Sequence, residues 1–239
     1  MKTVLILSGP THEYFDPVRF IGNASSGKMG KALAEEALSR ALDVEMISGP
    51  VPEANLPNVD AVSPPHPGSK GNAVGTPRLR IQKVISAEEM LATAQAKFAE
   101  ADIIIFAAAV ADFQPVGKSD EKVPKDGLSA EVSTEEEAST KAETKFSLEL
   151  KPTPDIAATL CAKKRDDQIA IGFALQTHDG EAKAKEKLVK KNLNGIVLNT
   201  PATLGAETGL FTWIDFQGLE NWGSLDKATC AKRLLSKVV

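Results

Sequence analysis

Short apolar runs rich in Val and Ile alternate along this chain with segments of helical period, and no other feature restricts the fold as much. Val4-Leu-Ile-Leu7, Ile103-Ile-Ile-Phe106 and Ile196-Val-Leu198 are apolar at consecutive positions, as strands covered on both faces require. An α/β fold follows, with a doubly wound, mainly parallel sheet and helices on both faces. Strands are expected over 3–8, 43–47, 61–62, 81–84, 102–107, 168–173, 195–199 and 210–214, and helices over 27–41, 87–100, 155–164, 181–191 and 226–237. Ser86 followed by Glu89 reads as a capping box opening the second helix.

Two stretches break the rhythm. Residues 64–77, Pro- and Gly-rich and without hydrophobic pattern, read as an insertion rather than a site. Residues 113–150 are highly charged, with Lys118, Lys122, Lys125 and the acidic run Glu135-Glu-Glu137, and close in a strand-like segment ending at Leu150. A connection that long is either disordered or functional; an arm over a site or a partner is the expectation. The rest reads as one domain over 1–239.

From Gly22 to Lys28 the letters fit the first seven positions of a phosphate-binding G-x-x-x-x-G-K loop. Met29 stands where that loop needs Ser or Thr for Mg²⁺, and polar, proline-containing sequence separates Gly22 from the first strand. The segment therefore reads as a helix N-terminus presented to an anion by another kind of loop. No G-x-G-x-x-G follows the first strand, which weakens a nicotinamide oxidoreductase reading. His12, His66 and His178 all fall in loops, with neither a Ser-His-Asp arrangement nor metal-ligand spacing.

Small side chains in Ala107-Ala-Ala-Val-Ala-Asp112 end an apolar run, where a flat ligand can approach the backbone at a strand's carboxyl end. Asp112 reads as an acceptor for a ribose hydroxyl, as a metal ligand, or as a turn residue. Asp155, in Lys151-Pro-Thr-Pro-Asp155, reads as a helix cap with or without a ligand role. Lys187 and Lys191 lie four residues apart on one helix face, among other lysines; they form either a solvated basic surface or a grip on a triphosphate. Phe173 offers a ring for stacking or for the core.

With 239 residues, 42% of them hydrophobic, 25% charged and a net charge of −4, the chain has the balance of an ordinary soluble domain and lacks the basic excess of a nucleic-acid binder. Cys161 and Cys230 are too few and too separated for a disulfide framework or a zinc site. They read as buried reduced thiols. No apolar run approaches about 20 residues and no leader is evident, so the expectation is a cytoplasmic protein with no membrane contact.

The ordered set Asp16-Pro-Val-Arg19 through Asn23-Ala-Ser-Ser-Gly-Lys-Met-Gly30, Ser48-Gly-Pro-Val51, Ala107 through Phe113, Glu121-Lys-Val-Pro-Lys125, Pro154-Asp-Ile156 and Gly172-Phe-Ala174 resembles the bacterial phosphopantothenate–cysteine ligases. The resemblance covers nearly the whole chain outside the 64–77 loop, is weakest after Pro201, and lacks the decarboxylase often fused to relatives. It implies a Rossmann-like homodimer that activates 4′-phosphopantothenate with CTP and Mg²⁺, releases pyrophosphate, and lets L-cysteine displace CMP. ATP in place of CTP, or a nucleotide-binding module without turnover, are its alternatives. It further implies Asn23 at the acyl-cytidylate, with Arg19, Ser25, Ser26, Gly27 and Lys28 on the substrate side. Ala107, Ala108 and Ala109 with Thr153, Pro154, Asp155 and Ile156 are then placed at the base. Asp112 falls at the ribose or the metal, Phe173 in the base pocket, and Lys122, Lys187 and Lys191 at the triphosphate. Pro124 in the arm motif, Thr153 before Pro-Asp, and Gln176 depart from the family pattern.

Overall fold

Alternate side chains of the first strand are buried against opposite layers, and that sorting runs through the whole sheet. In a computed structural model, which describes residues 1–58, 77–124, 147–175, 180–203 and 205–239, the main sheet contains β1 (Thr3–Ser8), β4 (Asp43–Ser48), β5 (Leu79–Lys83), β6 (Ile103–Phe106), β9 (Ile169–Leu175), β10 (Gly195–Asn199), β11 (Thr208–Asp215) and β12 (Leu219–Asp226). Val4 and Ile6 join Ile103, Ile105 and Val197 beneath helices α1 (Lys28–Ser39) and α5 (Lys227–Val238). Leu5 and Leu7 face the other way, onto α2 (Ala87–Phe98) and α3 (Ile156–Cys161). Ala170, Ala174 and Ile196 continue that second face beneath α4 (Gly180–Lys190).

The strand order is β12-β11-β10-β9-β6-β1-β4-β5, parallel from β5 to β10 and antiparallel through the β11–β12 hairpin. The chain winds outward from β1 through β4 to β5, then returns to β6 on the opposite side of β1. This doubly wound, Rossmann-like arrangement has its switch of direction between β1 and β6, the crevice in which such sheets take ligands.

Two small hairpins lie outside the main sheet: β2 (His12–Tyr14) with β3 (Phe20–Gly22), and β7 (Phe113–Pro115) with β8 (Leu150–Pro152). The β7–β8 pair closes the base of the arm expected over 113–150; its residues 125–146 lie outside the described residues, as do the strand expected at 61–62 and most of the 64–77 insertion.

Strand β5 begins two residues before the expected 81–84, because it is an edge strand whose charged Arg80 and Lys83 face solvent while Leu79 and Ile81 pack inward. Strand β12 is unexpected from sequence; among its side chains only Trp222 is buried, so it carries no apolar run. The Ser86 cap accepts the Glu89 amide at 3.2 Å, while the Glu89 carboxylate reaches the Ile85 amide at 2.7 Å. Both cysteines are free and buried, and burial pushes their thiols up, Cys161 to about 11 and Cys230 to about 12. No helix among the described residues is long and apolar enough to cross a membrane.

Candidate active site

Glycines where side chains would collide assemble the crevice. A Cβ on Gly49 would lie 1.6 Å from the Pro10 carbonyl oxygen, so the Ser48-Gly-Pro-Val51 turn interlocks with the turn after β1. Val51 fills the space beside Gly27, whose φ of +76° starts α1 from a left-handed residue. Because Gly27 brings no side-chain cap, the first amides of α1 keep their donors for something else. On the neighbouring strand, Ala107 and Ala109 donate to the Leu7 and Gly9 carbonyls, both at 2.9 Å. The intervening Ala108 amide has no partner among the described residues. Thr11, fully buried, accepts the Ala111 amide at 3.0 Å and fixes the end of this ledge.

A cavity of about 810 Å³ opens over these turns, within the size range of sites for small ligands. It brings together Asn23, Ser25, Ser26, Gly27 and Lys28 from the approach to α1, Ala107 through Asp112 from the end of β6, Thr153 through Ile156 ahead of α3, Phe173 from β9, and Lys187 and Lys191 at the end of α4. Nearly the whole expected set thus converges from five separate stretches. The Asn23 amide donates to the Val110 carbonyl at 2.8 Å, joining the loop before α1 to the alanine ledge 87 residues on. Thr153 closes the opposite side: its hydroxyl donates to the Ala111 carbonyl at 2.5 Å and its amide to the Asp112 carbonyl at 3.1 Å. Asp155 caps α3 by accepting the Ala158 amide at 3.0 Å, and Lys191 pairs with it at the same distance. Desolvation pushes the Asp155 carboxyl up, but the Ala158 amide and the Lys191 ammonium outweigh it and hold the group below the usual carboxylate range.

Arg19 and Lys122 do not line the cavity. The Arg19 guanidinium lies 2.5 Å from the fully buried Asp16 carboxylate and also donates to the Val123 carbonyl at 2.6 Å. Asp16 accepts the Val123 amide in turn at 3.2 Å. Hydrogen bonding to Arg19 holds the Asp16 carboxyl far below its ordinary range. The pair therefore clamps the start of the arm beside the β2–β3 hairpin, with Lys122 exposed on the adjacent residue. Among the described residues no group of three His, Cys, Asp or Glu side chains gathers as a metal site. Asp112 lines the cavity, and among the described residues its carboxylate has no hydrogen bond or ion pair.

Lys227, Thr203 and Asn199 also line the cavity and were not singled out from sequence. A signal existed for Lys227: a cation as the first residue of a helix opposes the helix macrodipole.

The model of the DNA/pantothenate metabolism flavoprotein C-terminal domain matches residues 1–64 and 70–239. The chain belongs to that family. Among relatives of the family, the Coenzyme A biosynthesis bifunctional protein CoaBC of Bacillus subtilis strain 168 is 39% identical over 216 residues, 88% of this chain and 44% of that protein. A protein named cysteine/cysteine sulfinic acid decarboxylase, from an unknown prokaryotic organism, is 39% identical over 218 residues, 90% of this chain and 51% of that protein. The chain thus spans about half the length of these curated relatives. The solved C-terminal domain of CoaBC superposes with a TM-score of 0.70 at 31% identity, covering 99% of this chain and 93% of that one. The resemblance read from the ordered motifs is borne out at family level.

Proposed function

We propose that this chain is a phosphopantothenate–cysteine ligase that uses CTP. The observation that carries the proposal is the meeting of Asn23, the alanine ledge and three lysines, Lys28, Lys187 and Lys191, around one cavity at the switch of the sheet. The 31% identity to the CoaBC C-terminal domain over 99% of this chain supports it.

In this reading the unpartnered Ala108 amide and the Thr153 to Ile156 segment recognise the base, with Phe173 beside it. Lys187 and Lys191 neutralise the triphosphate so that a carboxylate can approach the α-phosphorus, a positioning and electrostatic task that needs no enzyme nucleophile. The 4′-phosphopantothenate carboxylate forms an O–P bond as the bond to the β-phosphate breaks and pyrophosphate leaves. The cysteine amine then attacks the acyl carbon, CMP departs with the bridging oxygen, and the amine loses a proton. In this reading the Asn23 side-chain amide holds the acyl nucleotide and assists its conversion. Mg²⁺ would be held by Asp112 together with the nucleotide phosphates, a donor set that suits an ion retaining much of its water, and would supply further neutralisation. Lys122, outside the cavity lining, is assigned in this reading to the triphosphate.

A second copy of the chain belongs to the proposal. Phe113 (51% exposed), Leu150 (42%) and Phe20 (43%) lie on the two small hairpins outside the main sheet, an apolar surface that suits an isologous contact.

The test combines purified protein with 4′-phosphopantothenate, L-cysteine, Mg²⁺ and either CTP or ATP. Cysteine-dependent appearance of the conjugate with CMP and pyrophosphate is expected. Product with ATP alone would replace the nucleotide assignment, and no product with either would overturn the ligase reading.

A further inference from the structure

Lys28 and Lys227 are the first residues of α1 and α5, and both line the cavity. A helix start is the positive end of the macrodipole, so a cation there is placed against the local field. Neither helix has an acidic residue in its first turn to compensate. The Asp226 carboxylate that caps α5 is already engaged by the Thr229 amide at 2.7 Å and the Thr229 hydroxyl at 2.8 Å.

Lys227 is only 9% exposed. Its ammonium donates to the Thr203 carbonyl at 3.4 Å and to the Ala206 carbonyl, which among the described residues leaves one of its three donors for a further acceptor. Burial pushes its pKa down, with Glu207 opposing that shift and Lys28 adding to it. Glu207 is the carboxylate that answers these cations. It pairs with the Lys28 ammonium while its own side chain stays 78% exposed. An exposed single-charge pair is weak and exchangeable, whereas a polyphosphate brings several charges and acceptors to the same cations and to the uncapped amides of α1.

We propose that Lys28 and Lys227 bind the pyrophosphate portion of the nucleotide and hold it as it leaves. Glu207 is an internal carboxylate that occupies Lys28 until those phosphates displace it. The identity of the anion rests on the ligase reading above; the site itself rests on two buried-edge cations placed where helix geometry disfavours them.

Inorganic pyrophosphate is titrated into wild-type protein, Lys227→Met and Glu207→Gln by isothermal titration calorimetry, with circular dichroism on each preparation. Wild type binds, Lys227→Met weakens binding by about tenfold or more through loss of a charge-assisted contact, and Glu207→Gln tightens it by about two- to fivefold because Lys28 is released from a weak pair. A wild type that does not bind, a folded Lys227→Met with unchanged affinity, or a Glu207→Gln that does not bind tighter overturns the assignment. If Lys227→Met does not fold, the exposed Glu207 substitution decides alone. The product assay on the same wild-type preparation separates the two claims: conjugate formation with indifferent titrations removes this site alone, and the expected titrations without conjugate remove the ligase reading alone.

Discussion

The Lys191 ammonium lies 3.0 Å from both carboxylate oxygens of Asp155. Asp155 also caps α3, so a residue that ends one loop and starts one helix is tied to the end of α4 across the cavity mouth. The Asp155 side chain is 47% exposed, and a pair so open to solvent contributes less than about 1 kcal/mol. Lys191→Met is therefore expected to lower the melting temperature by less than about 4 °C for a chain of this size. If Lys191 grips the triphosphate as proposed, the variant's nucleotide KM should rise by about tenfold or more through loss of a charge-assisted contact. Thermal melts and CTP titrations check both; an unchanged KM would remove Lys191 from the triphosphate.

Asn23 is exposed and makes its hydrogen bonds to backbone carbonyls of the alanine ledge. Asn23→Ala therefore leaves the core untouched while removing the donor that the proposed reading sets at the acyl nucleotide. Loss of one such preorganised donor costs about 10²–10³ in rate. Nucleotide affinity should stay within about threefold of wild type, because the proposed phosphate contacts lie on other residues. Release of pyrophosphate without matching conjugate, followed by phosphorus NMR, is the expected signature; conjugate formation at wild-type rate would take Asn23 out of the chemistry.

How the site reads from sequence depends on which atoms do the work. The ledge of Ala107, Ala108 and Ala109 was legible because small side chains after an apolar run expose backbone, and the fold keeps that meaning: one amide remains unspent. Helical spacing puts Lys187 and Lys191 on one face, and both line the cavity. Asp16 was not, because its Pro-Val-Arg context hides a carboxylate buried to 0% by partners 107 residues away. Strand β12 was hidden for a related reason: it gains its place by pairing with β11 through a register shift, with one buried side chain. Lys227 leaves only a weak local signal, a cation in the first turn of a helix, which is indistinguishable from a solvated charge until Thr203 and Ala206 cover it. Local periodicity carries the sheet and helices; long-range coverage of a polar group leaves no local trace.

Asp16 gives a pH prediction. Its ordinary value of 3.8 is lowered in the folded protein, first by the hydrogen bond from Arg19 and further by the amides of Val18, Arg19 and Val123. A carboxyl whose folded value lies below its unfolded one contributes stability that is fully present above the unfolded value and is lost as pH falls toward the folded one. Wild-type stability should thus decline below about pH 4 in part through this group. Asp16→Asn should be less stable than wild type at pH 7, and the gap should hold down to about pH 5 and narrow below about pH 4 as acidification continues to pH 3. Urea melts at several pH values measure it. A gap that stays constant with pH would mean that packing, not the charge on Asp16, holds the arm to the β2–β3 hairpin.

Gly30 ends the motif that began at Asp16, and its role is steric. An added Cβ would lie 1.9 Å from the Ser8 hydroxyl oxygen and 2.4 Å from the Ser8 Cβ. Both residues are buried, Ser8 to 0% at the end of β1 and Gly30 in the first turn of α1. Helix and strand therefore approach closely enough here to bring the α1 amides to the cavity floor. Gly30→Ala gains helix propensity of about 1 kcal/mol, but overpacking against a strand end costs about 1–3 kcal/mol or more. At the upper end of that range the net effect is a melting temperature lowered by several degrees. Ser8→Gly clears both colliding atoms, so in a double-mutant cycle the pair should show a favourable coupling of at least about 0.5 kcal/mol. Additive losses in that cycle would place the strain elsewhere, and would mean that α1 can shift away from β1 without disturbing the turn at Gly27.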